Sequence, residues 1–188
     1  MWFLQELAPE SRAYNVFFSA KVNSTIEIDA LKKSFQEIVN RHPSLRTTYG
    51  AEKGEPVQKI QPQMSVFFTQ EDVSDWSATE ITDRLNRDAT RPFDLLKGPL
   101  LRVSLLTQSD DLHYLLLSVH HVAIDLWSLM VVMDELQALY PAIKDNRDPN
   151  LPQLPFKYID YVDWQDRTLK SEEGERLWQY WRKQLHAC

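Results

Sequence analysis

The chain has 188 residues, of which 43% are hydrophobic and 11% aromatic, so it can form one large domain or one lobe of a larger domain with a substantial core. Its net charge of −6 argues against nucleic-acid binding, and its four glycines form neither common phosphate-binding loop, which argues against tightly held ATP or NAD. We expect no membrane span or signal peptide, and the single cysteine, Cys188, excludes an internal disulfide and fits a cytoplasmic setting.

The first half of the chain is predicted to alternate strands and helices. Residues 12–22, RAYNVFFSAKV, alternate loosely and are rich in aromatic and β-branched types, which predicts a strand. Apolar residues then recur at helical spacing from Ile28 to Val39, and Pro43 ends this helix because the residue before a proline avoids the α region. Three further elements are a hairpin formed by LRTTY and PVQKI, a strand at SVFFT and a helix at WSATEITDRLNRDAT.

The second half is predicted to contain two apolar strands followed by helices. The segments PLLRVSLLTQ and LHYLLLSVH predict a strand pair joined by the polar turn SDD. Apolar residues at helical spacing from Leu126 to about Ile143 predict a helix, and a proline-rich linker over residues 141–155 leads to a helical end rich in Trp and Tyr. The mixture of hairpins and crossovers predicts an α/β or α+β layered domain.

Residues 115–129, LLLSVHHVAIDLWSL, place two adjacent histidines at the end of an apolar strand. The side-chain period of two sends His120 and His121 to opposite faces. If the next helix begins near Ile124 or Asp125, His121 lies in the connecting turn, where an imidazole with a reference pKa of about 6.5 can act as a general base. Asp125 either caps the helix or pairs with a buried arginine.

Three other interpretations of this stretch compete with a general base. The first is that the two histidines simply end a strand and form local hydrogen bonds, which is the preferred interpretation for an isolated pair of adjacent histidines. A metal site could use His121 and Asp125, but zinc needs three or four ligands and the sequence has no second HxxxH or cysteine cluster. His113 and Asp110 could join such a site only by chance of folding. A Ser-His-Asp hydrolase is disfavoured because no G-x-S-x-G elbow is present.

The segment HHVAIDLWS resembles the HHxxxD motif of nonribosomal peptide synthetase condensation domains, which belong to the chloramphenicol-acetyltransferase-like superfamily. Four further segments resemble that family's motifs in the same order: MWFLQELAPESRAYNV, NRHPSLRTTY, RPFDLLKGPLLRV and YIDYVDWQ. The resemblance runs from residue 1 to about 185. It implies that residues 1–188 form the N-terminal lobe of a two-lobe pseudo-dimer with the chloramphenicol acetyltransferase-like fold, the C-terminal lobe being absent.

The resemblance also implies an activity for the full-length protein. The amine of an acceptor aminoacyl thioester would attack a donor acyl or peptidyl thioester, with both substrates carried on phosphopantetheine arms and no directly bound cofactor or metal. The implied partners are donor and acceptor carrier proteins, the C-terminal lobe and adjacent synthetase modules, and the isolated lobe is expected to be inactive. The alternatives are an ester-forming or stand-alone acyltransferase that uses coenzyme A or a carrier, and a non-catalytic docking lobe.

The resemblance assigns roles to individual residues. His121 would be the general base or would position the amine, and His120 would support it from the opposite face. Asp125 would be structural and would pair with Arg41, or failing that with Arg46. Loss of one partner of such a buried pair typically costs about 3–5 kcal/mol.

One residue departs from the family pattern beside the histidines. Leu126 replaces the glycine of the usual HHxxxDG form, whereas Trp127 and Ser128 follow the pattern again. A leucine fills space near the substrate tunnel and disfavours a left-handed backbone by about 1–2 kcal/mol. The substitution is therefore expected to affect substrate geometry and rate.

Two other features are expected to be structural. Tyr158, Tyr161 and Trp164 recur at near-helical spacing, and in a negatively charged chain we expect packing instead of base stacking. His42 follows the predicted end of a helix, where a cationic side chain would complement the helix dipole.

Overall fold

The computed structural model describes residues 1–186, so Cys188 lies outside the described residues. The chain divides into two compact units, one from Met1 to Leu151 and one that begins at Pro152. None of the helices in the described part of the chain is long and apolar enough to cross a membrane.

The first unit contains six strands and four α-helices. The strands are β1 (Asn15–Val22), β2 (Thr47–Glu52), β3 (Glu55–Ile60), β4 (Phe67–Asp72), β5 (Leu101–Ser109) and β6 (Leu112–His120). The helices are α1 (Trp2–Leu7), α2 (Ile28–Arg41), α3 (Ala78–Thr90) and α4 (Leu126–Lys144), and a short 3₁₀ helix spans Pro43–Arg46.

Four of the strands form a mixed sheet in the order β1-β6-β5-β4. Strand β6 is antiparallel to both β1 and β5, whereas β4 is parallel to β5. The remaining strands, β2 and β3, form a separate antiparallel hairpin. Because β6 has a partner on each side along its length, its C-terminal end is held at a defined place.

The main core lies where the sheet packs against α2 and α4. Apolar side chains of β5 and β6 contact those of the two helices, and the buried members include Phe35, Ile38, Leu105, Leu117 and Leu139. A smaller cluster lies under α3, where Ile81 packs with Leu106 and Val73. The sheet is therefore covered by helices in two separate places, as expected for a layered α/β domain.

The predicted strands and helices of the first unit are confirmed, with two differences. Helix α1 was not predicted. Helix α4 continues through Pro141 to Lys144, so the linker begins later than the proline had indicated. Leu139 and Ala142 are buried in this last part of the helix, and tertiary packing outweighs the low helix propensity of proline.

The second unit consists of α5 (Tyr158–Leu169) and α6 (Glu172–Leu185). The rings of Tyr158 and Tyr161 lie 6.0 Å apart, and those of Tyr161 and Trp164 lie 5.5 Å apart. All three side chains remain exposed to solvent, so the packing is among the rings themselves and not in a buried core. Helical spacing places them together on one side of α5, where they pack against one another.

A pair of phenylalanines tests the assigned core. Phe35 on α2 is fully buried, whereas Phe17 on β1 is exposed. We expect Phe35→Ala to lower the free energy of unfolding by about 3–5 kcal/mol because it leaves a cavity. Phe17→Ala, the matched control, should cost about 1 kcal/mol or less. Urea unfolding of the two variants measures both values, and equal losses would contradict the assignment.

Candidate active site

The backbone of the two adjacent histidines is held by two different segments of the chain. The amide of His120 donates to the carbonyl of Leu100 over 3.1 Å, and the amide of His121 donates to the carbonyl of Tyr14 over 2.8 Å. His120 ends β6 and is only 1% exposed, whereas His121 lies in the following turn and is exposed. The predicted placement of the two side chains on opposite faces is confirmed.

His120 lies in an aromatic and polar enclosure. Its ring is 6.0 Å from that of Tyr14 and 5.9 Å from that of Phe93, measured between centroids. Its Nδ1 accepts a hydrogen bond from the amide of Val122 over 3.1 Å, so the neutral ring carries its proton on Nε2, which is 3.5 Å from Gln5 Oε1. Burial, followed by the neighbouring His121, lowers the pKa of His120 to about 4. His120 is therefore neutral at physiological pH.

His121 is held in one tautomer by a backbone carbonyl. Its Nδ1 lies 2.6 Å from the carbonyl oxygen of Ile124, which only accepts, so Nδ1 carries the proton. Nε2 then keeps its lone pair and can accept a proton from a substrate. Because Ile124 is buried, this carbonyl is a fixed point from which the imidazole is oriented.

Asp125 caps helix α4. Its carboxylate accepts hydrogen bonds from the hydroxyl of Ser128 over 2.6 Å and from the Ser128 amide over 2.7 Å. These bonds lower the pKa of Asp125. Of the two roles considered for this residue, helix capping is therefore the one observed, and Ser128 is its partner.

The expected pairing of Arg41 with Asp125 is wrong. Nε of Arg41 lies 2.8 Å from Glu135 Oε1, and His42 Nε2 lies 2.7 Å from the other oxygen of Glu135, which is 7% exposed. Glu135 is ten residues beyond Asp125 along α4, about 15 Å along the helix axis, so the end of α2 meets α4 far from its first turn. Arg46, the alternative partner, donates to a backbone carbonyl just after β3.

Sequence reasoning missed Glu135 and gave His42 only a role at the helix end. The signal that could have indicated Glu135 is a carboxylate on an otherwise apolar face of α4, between Val132 and Leu136, which are both buried. A buried carboxylate requires a cationic or hydrogen-bonding partner. The sequence alone does not show which helix supplies that partner.

Leu126 and Trp127 form the exposed start of α4. Leu126 is 75% exposed and Trp127 is 79% exposed. Leu126 is the first residue of α4 and does not have a positive φ, so its backbone is not in the left-handed region that leucine disfavours. A leucine is accommodated here at no backbone cost, and both side chains offer apolar surface beside the histidine turn.

The residues considered for a metal site do not come together. Across residues 1–186, no group of three or more histidine, cysteine, aspartate or glutamate side chains is placed to hold a metal ion. His113 instead lies within 3.1 Å of the Thr107 hydroxyl and 3.3 Å of the Asp110 carbonyl.

Comparisons with known proteins agree on one family. The model of the family named Condensation domain matches residues 1–188. A linear gramicidin synthase of Brevibacillus parabrevis and chondramide synthase cmdD of Chondromyces crocatus are 36% and 37% identical over 98% of the chain. Phosphinothricin tripeptide synthetase PhsC of Streptomyces viridochromogenes is 36% identical over 100% of it. The chain spans only 2%, 5% and 18% of the lengths of these three proteins.

A solved structure shows the same fold. The crystal structure of the starter condensation domain of rhizomide synthetase RzmA matches 97% of this chain with a TM-score of 0.88 and 17% sequence identity. The chain covers 45% of that structure. The predicted mixed α/β fold of condensation domains is thereby confirmed, and the coverage is consistent with one lobe.

The cap at Asp125 predicts a moderate effect of mutation. We expect Asp125→Ala to reduce the free energy of unfolding by about 0.5–2 kcal/mol, because only the cap of α4 is lost. Asp125→Asn, which can also cap, should lie within about 0.5 kcal/mol of the wild type. Chemical denaturation measures both; a loss of about 3–5 kcal/mol for Asp125→Ala would indicate a buried ion pair instead.

Because His120 is buried in its neutral state, the stability of the folded protein should depend on pH. Its folded pKa of about 4 lies below the ordinary value of 6.5, so the unfolded chain binds a proton more readily between these values. The contribution of His120 to stability is therefore complete above about pH 6.5 and is lost as the pH falls towards 4.

Denaturation of the wild type and of His120→Gln at several pH values measures this contribution. The free energy of unfolding of the wild type exceeds that of the variant by an amount that should shrink between about pH 6.5 and 4, since glutamine does not titrate. A difference that stays constant with pH would show that His120 is not held neutral by the fold.

Proposed function

Because the chain belongs to the Condensation domain family, we propose that it contributes the catalytic histidine of a domain that forms amide bonds between carrier-bound acyl groups. The donor is an acyl or peptidyl thioester, and the acceptor is an aminoacyl thioester. One of the relatives described above is named as a tripeptide synthetase, which supports an amide product over an ester.

The observation that carries the proposal is the hydrogen bond between His121 Nδ1 and the carbonyl of Ile124. It leaves Nε2 of an exposed imidazole free to contact the acceptor amine. An α-amine has a reference pKa of about 7.7–8.0, so a substantial fraction is protonated near neutral pH and must be held as the free base to attack. A fixed imidazole nitrogen can orient this amine and receive its proton.

The proposed reaction conserves atoms and charge. The amine nitrogen bonds to the thioester carbonyl carbon, and the carbon–sulfur bond to the donor arm then breaks. The proton lost by nitrogen passes to His121 Nε2 and is returned to the departing thiolate, so the imidazole ends neutral. The products are an amide on the acceptor arm and a free thiol on the donor arm.

The neighbouring residues support the position of His121. His120 stays neutral and accepts from the amide of Val122, which fixes the turn without placing a second positive charge beside His121. Asp125 and Ser128 fix the start of α4, and Trp127 offers exposed apolar surface there. Arg41 acts at a distance, because through Glu135 it attaches α2 to α4.

We propose further that residues 1–188 are the N-terminal lobe of this domain. The coverage of 45% of a solved condensation-domain chain supports this division. The substrates would arrive on phosphopantetheine arms of donor and acceptor carrier proteins, and adjacent synthetase modules and the C-terminal lobe would be partners. The isolated lobe would then be inactive, because it provides only one wall of the substrate cleft.

Mutation of His121 tests the proposed role in the full protein. With synthetic donor and acceptor thioesters, His121→Ala should reduce amide formation by at least about 10²-fold while circular dichroism shows an intact fold. His186→Ala, which also removes an exposed histidine, is the matched control and should keep wild-type activity. Unchanged turnover in His121→Ala would overturn the catalytic role and favour a carrier-docking function.

A further inference from the structure

Helix α1 buries a polar side chain and exposes apolar ones. Among the described residues of α1 only Gln5 is buried, at 4% exposure, whereas Phe3, Leu4 and Leu7 are exposed. A helix on a protein surface normally turns its apolar side chains inwards. A buried side-chain amide also costs free energy unless its donors and its acceptor have partners. This inverted pattern indicates that a polar requirement, and not packing, determines the residue at position 5.

Both ends of the Gln5 amide face a partner. Its Nε2 donates to the carbonyl of Pro9 over 2.8 Å, and its Oε1 lies 3.5 Å from Nε2 of His120. Because a carbonyl oxygen only accepts, the bond to Pro9 fixes the orientation of the amide and turns its oxygen towards the histidine. At 3.5 Å the second bond is long, so its contribution lies in orienting the His120 ring and not in strength.

Helix α1 is attached to the turn that carries the histidines. Trp2 packs against a cluster that includes Phe93, Leu100 and Val122. Phe93 also contacts the His120 ring, and the amide of Val122 donates to His120 Nδ1. Gln5 is therefore presented to His120 from a support that is itself packed on the same turn.

We propose that Gln5 is a positioning residue for the condensation reaction, because its amide oxygen holds the His120 ring in one orientation and thereby fixes the turn that carries His121. The inference rests on the proposed role of His121. The ring is bonded at Nε2 to Gln5 and at Nδ1 to the amide of Val122, so it cannot rotate without losing both bonds. His121 lies between His120 and Val122 in the chain, and a displacement of a reacting group by about 1 Å can cost about 10²-fold in rate.

The chemistry of this contact requires an acceptor without charge. A carboxylate in place of the amide would favour the imidazolium form of His120. An imidazolium carries a proton on both nitrogens, so Nδ1 could no longer accept from the amide of Val122. The titratable and charged groups around His120 are Tyr14, His121, Arg102 behind the Phe93 ring, and the amino group of Met1. Glutamine accepts from Nε2 and leaves the ring neutral.

The variant Gln5→Glu tests this mechanism through its pH dependence. It keeps an acceptor beside His120 but adds a charge, which should raise the pKa of His120 by about one to three pH units. We expect the kcat of the full protein for amide formation, divided by the wild-type kcat at the same pH, to fall at least about twofold between about pH 8 and pH 5. The ratio removes the titration of His121 and of the substrate amine, which both proteins share.

Gln63→Glu is the matched control, since Gln63 is exposed in the loop after β3 and the substitution adds the same charge. Its kcat ratio should not change with pH. A constant ratio for Gln5→Glu, or equal profiles for the two variants, would overturn the role of Gln5. The proposed function fails separately, because that requires unchanged turnover in His121→Ala.

The variant Gln5→Met separates positioning from packing. Methionine has a similar length but neither donates to Pro9 nor accepts from His120. It should lower kcat at least about tenfold while circular dichroism shows an intact fold. At about pH 8, Gln5→Glu should retain more activity than Gln5→Met, because it still offers an acceptor to a neutral His120. A wild-type kcat in Gln5→Met would show that the residue acts on stability alone.

Neutron diffraction from deuterated crystals of the wild type tests the contact without relying on a variant that must fold. We expect deuterium on His120 Nε2, directed at the oxygen of the Gln5 amide. Deuterium on His120 Nδ1, or an amide whose nitrogen faces the histidine, would overturn the proposal.

Discussion

The pairing of β6 with a strand on each side is the constraint on which the candidate site depends. Its last residue, His120, is bonded to the carbonyl before β5, and His121 is bonded to the carbonyl of Tyr14 just before β1. A turn that follows an edge strand would have a neighbouring strand on one side only. This turn leaves a central strand, so three segments that are distant in sequence must be in place before the imidazole of His121 has its position.

The regular elements could be predicted because their periodicity is local. Helical spacing in α2 reflects one buried face, which a single segment reveals, and the aromatic and β-branched residues of β1 favour a strand wherever the strand lies. The position of His121 in a turn before a helix followed from the same local pattern, as did the capping role considered for Asp125. The contact between Arg41 and Glu135 could not be predicted, because it depends on where two helices cross. The exposure of Trp164 could not be predicted either. Helical spacing shows on which side of α5 its ring lies but not whether another element packs there.

Buried charge has two different solutions in this fold. Around Glu135, one carboxylate bonds to groups from both Arg41 and His42, and the contact joins α2 to α4 across the main core. Around Arg102, the neighbouring carboxylate Asp88 is already engaged by Arg84. The first arrangement is complete within the described chain and acts as a fastening between helices. The second relies on the carbonyls of Arg91 and Pro92 and on the Phe93 ring, which contact the guanidinium of Arg102 directly.

Phe93 connects Arg102 to the histidine turn. One side of its ring meets the guanidinium of Arg102 at 3.7 Å, and the His120 ring approaches it in a T-shaped arrangement at 5.9 Å. Arg102 is held by the carbonyls of Arg91 and Pro92 and in turn holds this ring, and the ring fixes one wall of the enclosure around His120. Because His120 accepts from the amide of Val122, any displacement of its imidazole alters the turn that carries His121. The packing of Arg102 on Phe93 therefore contributes, through His120, to the position of the turn that carries His121.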